Sequence, residues 1–284
     1  MVSVLISTYN GEKYIAGQLD SLLNQNYTQF EVYIRDDGST DGTVATIDEY
    51  VERYPQMFHK VGSDGQNLGA IKSFLALVES VDSDYYMFCD QDDIWFENKI
   101  RDSIKELMAL ESTSEGMPCC IFTNAKVSDA GGKNIIDDDL WHYVHSCPQK
   151  SIMDIYHNVV YTNPAYGCMI AFNKIARRIA LEVDCRMKKP VMYHDEIICR
   201  ICVAYGKVAF IQAPLMIYRR TGDNVSDAHN NARSKANFNG SILDMIVIGL
   251  QALSLRIKIL HLLGIWPVNY LKLLSAFRER WFSK

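Results

Sequence analysis

Short apolar runs alternate with helical periods through the first third of the chain. Val2-Ser3-Val4-Leu5-Ile6-Ser7 is a β-rich run, and Thr8-Tyr9-Asn10-Gly11 has turn chemistry. Tyr14, Ile15, Leu19, Leu22 and Leu23 then recur at helical spacing. Phe30 to Arg35 predicts a second strand, ending in Asp36-Asp37-Gly38-Ser39-Thr40-Asp41-Gly42-Thr43, with a helix from Val44 to about Tyr54. His59 to Gly62 is a weak strand, Asn67-Leu68-Gly69 a turn, and Ile71 to Val78 a helix. Tyr85-Tyr86-Met87-Phe88-Cys89 is a buried strand that runs straight into Asp90-Gln91-Asp92-Asp93. Strands alternating with helices on short links predict a mostly parallel sheet covered on both faces. The polar turns after the first, second and fourth strands then open on one edge, where α/β sheets bind ligands.

The later pattern is less regular. Lys99 to Leu110 and Lys174 to Val183 read as helices, and Ile121 to Thr123 and Tyr166 to Phe172 as strands. Asp129 to Lys150 has no period and reads as loops. Asp195 to Tyr205 is helical, and Val208 to Ile211 and Leu215 to Tyr218 are two short strands. Asn224 to Asn239 is polar, whereas Ser241 to Trp266 is apolar with helical spacing. The expected division is one domain over 1–225, with halves of about 1–100 and about 101–225. A helical extension over 226–284 follows.

Composition narrows the class. With 48% hydrophobic and 22% charged residues in 284, the chain has the make-up of a globular protein with a sizeable core. A net charge of -5 argues against nucleic acid as a partner. Eight scattered cysteines suit a reducing compartment rather than a disulfide framework, and Cys199-x-x-Cys202 has no second pair to complete a zinc site. The first strand begins without a leader and no 18-residue apolar window occurs, so the expected location is cytoplasmic. The apolar C-terminal segment carries Arg256, Lys258, Lys272, Arg278, Arg280 and Lys284. It is read as a core or dimerising helix, with peripheral contact to the inner membrane face as the alternative.

Three carboxylates within four positions repel one another unless a cation sits among them, and a divalent ion holding phosphates is the common solution. The competing reading is an acidic loop with Asp90 or Asp93 as helix cap. At the end of the second strand, Asp37 could accept the N–H of a pyrimidine ring, while Ser39 or Asp41 caps the next helix. Asp195 follows His194 at a helix start, where a carboxylate is also favoured by the helix dipole alone.

Ser7-Thr8-Tyr9-Asn10-Gly11-Glu12, Asp36-Asp37-Gly38-Ser39-Thr40-Asp41-Gly42-Thr43, Asn67-x-Gly69 and Asp90-Gln91-Asp92-Asp93-Ile94-Trp95 occur in this order. Together they resemble the signature of family-2 inverting glycosyltransferases of GT-A fold, in the rhamnosyltransferase-like bacterial form. The resemblance covers about residues 2–225. It implies that Ser7, Thr8, Tyr9 and Asp37 hold the base, that Asp90 meets the ribose, and that Asp92 or Asp93 holds Mn²⁺ or Mg²⁺. Lys72, Arg219 and Arg220 are candidates for phosphate contacts. Asp195 takes the position of the base that deprotonates the acceptor hydroxyl, with Glu196 in reserve. His194 stands where Glu is commoner, and Thr221 where His is common. The implied donor is a UDP- or dTDP-sugar, dTDP-rhamnose favoured. The acceptor is a glycan or glycolipid. A catalytically silent nucleotide-binding subunit and a nucleotidyltransferase are the rivals. Ser7 to Lys13, with a single Gly and a single Lys, lacks the triphosphate loop the second needs. A dinucleotide dehydrogenase fares worse, since no Gly-x-Gly-x-x-Gly follows the first strand.

Overall fold

A computed structural model describes residues 1–62, 65–145, 166–186, 193–222 and 224. The expected C-terminal extension lies outside the described residues. The first strand, β1 (Val2–Thr8), is flanked by β2 (Phe30–Asp36) and β4 (Tyr85–Asp90), both parallel to it, and β3 (Phe58–Lys60) pairs with β2. Between them run α1 (Ile15–Leu23), α2 (Thr43–Arg53) and α3 (Ala70–Ser80). Val4, Leu5, Ile6, Met87, Phe88 and Cys89 are all buried. Such strands are apolar on both faces because helices cover both.

The second half departs from simple alternation. After β5 (Ile94–Trp95) come α4 (Lys99–Ser112), β6 (Cys119–Asp129), β7 (Ile135–Asp137) and α5 (Leu140–His145). A 3₁₀ turn at Gly167–Met169 leads into β8 (Ile170–Asn173). Helices α6 (Lys174–Arg186) and α7 (His194–Tyr205) and strand β9 (Lys207–Arg220) follow. The sheet has nine strands, in the order β3-β2-β1-β4-β8-β6-β9-β5, with β7 on β6. Strands β1 to β4, β6 and β9 share one direction, while β8 runs antiparallel between β4 and β6.

Three expectations need correction. The stretch read as loops from Asp129 contains β7 and α5, whose short lengths leave no period to detect. Tyr166 to Phe172 is a 3₁₀ turn followed by a strand, not one strand. The two short strands near the end are one 14-residue strand, β9. Its register against β6 shifts where Asn124 pairs with Pro214, a residue with no N–H to give to the ladder, so the run looks broken in sequence. Among the described residues no helix is long and apolar enough to cross a membrane.

Candidate active site

Register brings the motifs together. Ser7 pairs with Asp90 across β1 and β4, and Thr8 with Asp36 across β1 and β2. The turns after these strands therefore share one edge of the sheet.

Each polar residue in the second turn has a separate task. Asp36 builds the turn: it accepts the Thr8 hydroxyl at 2.8 Å and the Ser39 backbone N–H at 2.8 Å. Ser39 Oγ accepts the Asn10 N–H at 2.9 Å, Thr43 Oγ1 that of Gly11 at 2.8 Å, and Asp41 that of Glu12 at 3.1 Å. Asp37 faces the other way and is 2% exposed. Its Oδ1 accepts Arg35 Nη1 at 2.5 Å and the Leu68 N–H at 2.8 Å, and its Oδ2 accepts the Gly69 N–H at 2.8 Å. A carboxylate has about four lone-pair sites, so one on Oδ2 remains for an imide N–H. Arg35 also donates to Ser73, whose hydroxyl meets that of Ser7 at 2.5 Å.

Gln91 ties the first turn to the acid cluster. Its Oε1 accepts the Tyr9 N–H at 2.9 Å and its Nε2 donates to the Tyr9 carbonyl at 3.0 Å. Gly11 leaves the space for that side chain, because a Cβ there would collide with the Gln91 amide. The Tyr9 ring is 48% exposed, as a surface for stacking must be. Lys72 is exposed on α3.

The acids are not equivalent. Asp90 and Asp92 are half-buried, whereas Asp93 is fully buried. Asp92 Oδ2 accepts Asn224 Nδ2 at 3.0 Å, with the Thr221 hydroxyl 3.5 Å away. Asp93 Oδ1 accepts the Arg219 N–H at 3.3 Å, and the Cys168 thiol stands against the same buried carboxyl. Desolvation and the neighbouring Asp92 charge push Asp90 up to about 7, with Asp195 adding to the rise. The same burial, with Asp92 and Asp90 beside it, lifts Asp93 well above the carboxylate range. Below the cluster, buried Lys99 donates to Thr123 Oγ1 at 3.3 Å and stacks over Trp95 at 4.8 Å. Burial pushes its ammonium down to about 8.

A divalent cation suits this chemistry. An oxygen each of Asp90 and Asp93 and the Cys168 sulfur lie within 4.8 Å of one another. The crowded carboxylates carry more negative charge than the surrounding side chains offset, which is what a cation would relieve. Asp92 stands outside that group, with its Oδ2 held by Asn224.

Arg219 and Arg220 separate into different tasks. Arg219 is 6% exposed, and its guanidinium binds the carbonyls of Asp92 at 2.5 Å, Tyr14 at 3.2 Å and Asp93 at 3.3 Å. These bonds secure the backbone of the acid turn. Arg220 is exposed and rests on Tyr143, with its guanidinium 5.6 Å from the ring centre and a hydrogen bond to the hydroxyl.

Asp195 is 6% exposed near the start of α7, and its Oδ1 accepts the Glu196 N–H at 2.7 Å. It follows His194, whose ring packs against Phe88 of β4 two residues before Asp90, and its charge adds to the rise at Asp90. Glu196 is paired with Arg200 one turn along the helix. Gln91, Arg35, Cys168 and Asn224 escaped the sequence reading. Gln91 stood inside a recognised motif as its variable position. Cys168 and Asn224 reach the acids only through the fold.

Residues 3–125 match the Glycosyl transferase family 2 profile. A dTDP-rhamnosyl transferase, RfbG of Shigella flexneri, is 34% identical over 143 residues, covering 46% of this chain and 45% of that protein. A putative teichuronic acid biosynthesis glycosyltransferase, TuaG of Bacillus subtilis, is 32% identical over 108 residues, covering 38% of this chain and 42% of that protein. The chain thus matches about half the length or less of these curated relatives. A mannosyltransferase from Pyrobaculum calidifontis, PcManGT, solved with GDP-Man and Mn²⁺, superposes with a TM-score of 0.53 at 17% identity, over 99% of this chain and 81% of that one. That likeness establishes the fold, which is the GT-A arrangement of a mixed sheet between helices. Motif order, sheet order and the profile match agree in making residues 3–125 a segment of the Glycosyl transferase family 2 type.

Proposed function

We propose that the chain is an inverting glycosyltransferase, moving a sugar from a nucleoside-diphosphate sugar to a hydroxyl of a bacterial surface glycan. The observation that carries this is the gathering of Asp37, Asp90 and Asp92 at one edge of the sheet, with the start of the Asp195 helix packed on β4, in a chain whose residues 3–125 match the family profile. Ser7, Thr8, Tyr9 and Asp37 would hold the base, with the exposed Tyr9 ring stacked on it and Asp37 Oδ2 accepting an imide N–H. Asp90 would meet the ribose, with Lys72 and Arg220 as the exposed cations nearest a diphosphate in role.

Asp92, with Asp93 and Asp90, would hold Mn²⁺ or Mg²⁺. Such an ion, when bound, stabilises charge building on the departing diphosphate. Asp195 takes the proton of the acceptor hydroxyl. The freed oxygen attacks the anomeric carbon from the face opposite the nucleotide, so one bond forms as the other breaks and the configuration inverts. Glu196, already paired with Arg200, is the poorer candidate for that step.

Similarity to RfbG favours dTDP-rhamnose as donor, and TuaG favours a cell-surface polymer as acceptor. The domain boundary near residue 225, peripheral membrane contact and dimerisation through the C-terminal segment belong to the same proposal. The test is a melting-temperature screen of UDP-, dTDP- and GDP-sugars with Mn²⁺, followed by anomeric analysis of the product. Stabilisation by a dTDP-sugar and an inverted product are expected. Selective stabilisation by a GDP-sugar, or a retained configuration, contradicts the reading.

A further inference from the structure

The residue that seats α7 is His194. Its ring is buried at 7% exposure. It stacks on Phe74 of α3, with centroids 4.1 Å apart and planes 18° apart. It meets Phe88 of β4 edge-on at 4.7 Å and 88°. Among the described residues neither ring nitrogen has a hydrogen-bond partner. Burial pushes the imidazole down to about 3, so the ring is uncharged at neutral pH. Gly167 is fitted to it, since a Cβ there would lie 2.7 Å from Nε2.

The three contacts come from the elements that hold the donor edge. Phe74 follows Ser73, which joins Ser7 and Arg35. Phe88 stands two residues before Asp90 on the same strand and so shares its face. Asp195 is the residue after His194, so a shift of the ring is passed directly to that carboxylate. A histidine chosen for proton transfer or metal binding would present a nitrogen to solvent or to another ligand. Here both nitrogens face protein without a partner among the described residues.

We propose that His194 is a positioning residue: an aromatic wedge, seated against Phe74, Phe88 and Gly167, that sets where Asp195 stands relative to the acids at the end of β4. The proposal rests on the reading of Asp195 as the base. It requires the shape of the ring and not its nitrogens. It also gives Gly167 a reason to lack a side chain.

The experiment is a cycle of His194→Ala, His194→Phe, Gly167→Ala and the His194→Ala/Gly167→Ala double variant. It measures kcat, donor Kd and melting temperature with the dTDP-sugar selected by the donor screen. His194→Ala should lower kcat about 10- to 100-fold, the order expected of a small misplacement, while donor Kd stays within about twofold. His194→Phe should bring kcat back to within about threefold of the parent protein. Gly167→Ala should mimic His194→Ala by displacing the ring. In the double variant the second change should cost nothing further, because the space is already free. An inactive His194→Phe, an unaffected His194→Ala, or losses that multiply in the double variant would each overturn the proposal. Should His194→Ala not fold, His194→Phe and Gly167→Ala decide it alone, by retained and lowered kcat respectively. An active Asp195→Asn would retire the base reading itself, whereas an inactive one beside a multiplicative cycle would retire only the wedge.

Discussion

Asp90 carries the clearest electrostatic consequence at the level of single residues. Its native pKa, about 7, lies above the ordinary carboxylate value. Between those values the native state binds more protons than the unfolded chain, so stability falls as pH rises from about 4 to about 7. In EDTA, Asp90→Asn should therefore gain on the parent protein in melting temperature as pH is raised from 5 to 8. His194 acts with the opposite sign. Its pKa falls to about 3, so its contribution is intact above about 6.5 and is lost as pH drops. The difference between the Asp90→Asn variant and its parent isolates the acid, because His194 is common to both. An Asp90→Asn profile parallel to the parent's would show that the cluster is not strained in the absence of cation.

Arg219 is the residue whose task changes most once the fold is known. Its sequence neighbourhood suggested a phosphate contact, yet its guanidinium satisfies three backbone carbonyls. Arg219→Ala should destabilise by about 3 kcal/mol or more, since each buried acceptor left unpaired costs about 1–3 kcal/mol. Arg219→Lys should recover little of this, because one ammonium cannot reproduce the planar fork. Chemical denaturation checks both, and a fully stable Arg219→Ala would return the arginine to the ligand side.

At the scale of elements, the Gln91 pair with Tyr9 connects the β1 turn to the β4 turn. Gln91→Ala removes two exposed hydrogen bonds, each worth about 1 kcal/mol. Donor affinity should fall about tenfold while the melting temperature changes little. Gly11→Ala should match it, as the new methyl displaces the amide. A variant with unchanged donor KM would mean that the two turns hold their places independently.

Elements also explain what could be read from the chain. The β1 to β4 half follows local rules: apolar strands, short polar turns and amphipathic helices in strict succession. Its parallel strands and the convergence of three turns were therefore legible, although the order of the strands was not. The other half depends on partners far apart in sequence. β8 enters antiparallel between β4 and β6, β5 is two residues long, and β9 bends at Pro214. None of these leaves a periodic signal. For the same reason the acids were visible as a cluster, but Cys168, Asn224 and the His194 wedge were not.

For the whole molecule, the proposed function sets a donor edge built by β1, β2 and β4 against a proposed base on α7, Asp195, more than a hundred residues after Asp90. In that proposal the acid cluster would prepare the leaving group, and a separate group would activate the acceptor. Chelation should therefore abolish transfer and Mn²⁺ should restore it, with activity that survives EDTA counting against the role given to Asp92. The most direct measurement compares the parent protein with Asp195→Asn for release of nucleoside diphosphate from dTDP-rhamnose. A detergent extract of bacterial glycolipids serves as acceptor, and nucleotide affinity is measured in parallel. The account predicts a fall in turnover of about 100-fold or more, with nucleotide affinity unchanged. Turnover close to that of the parent protein would contradict it.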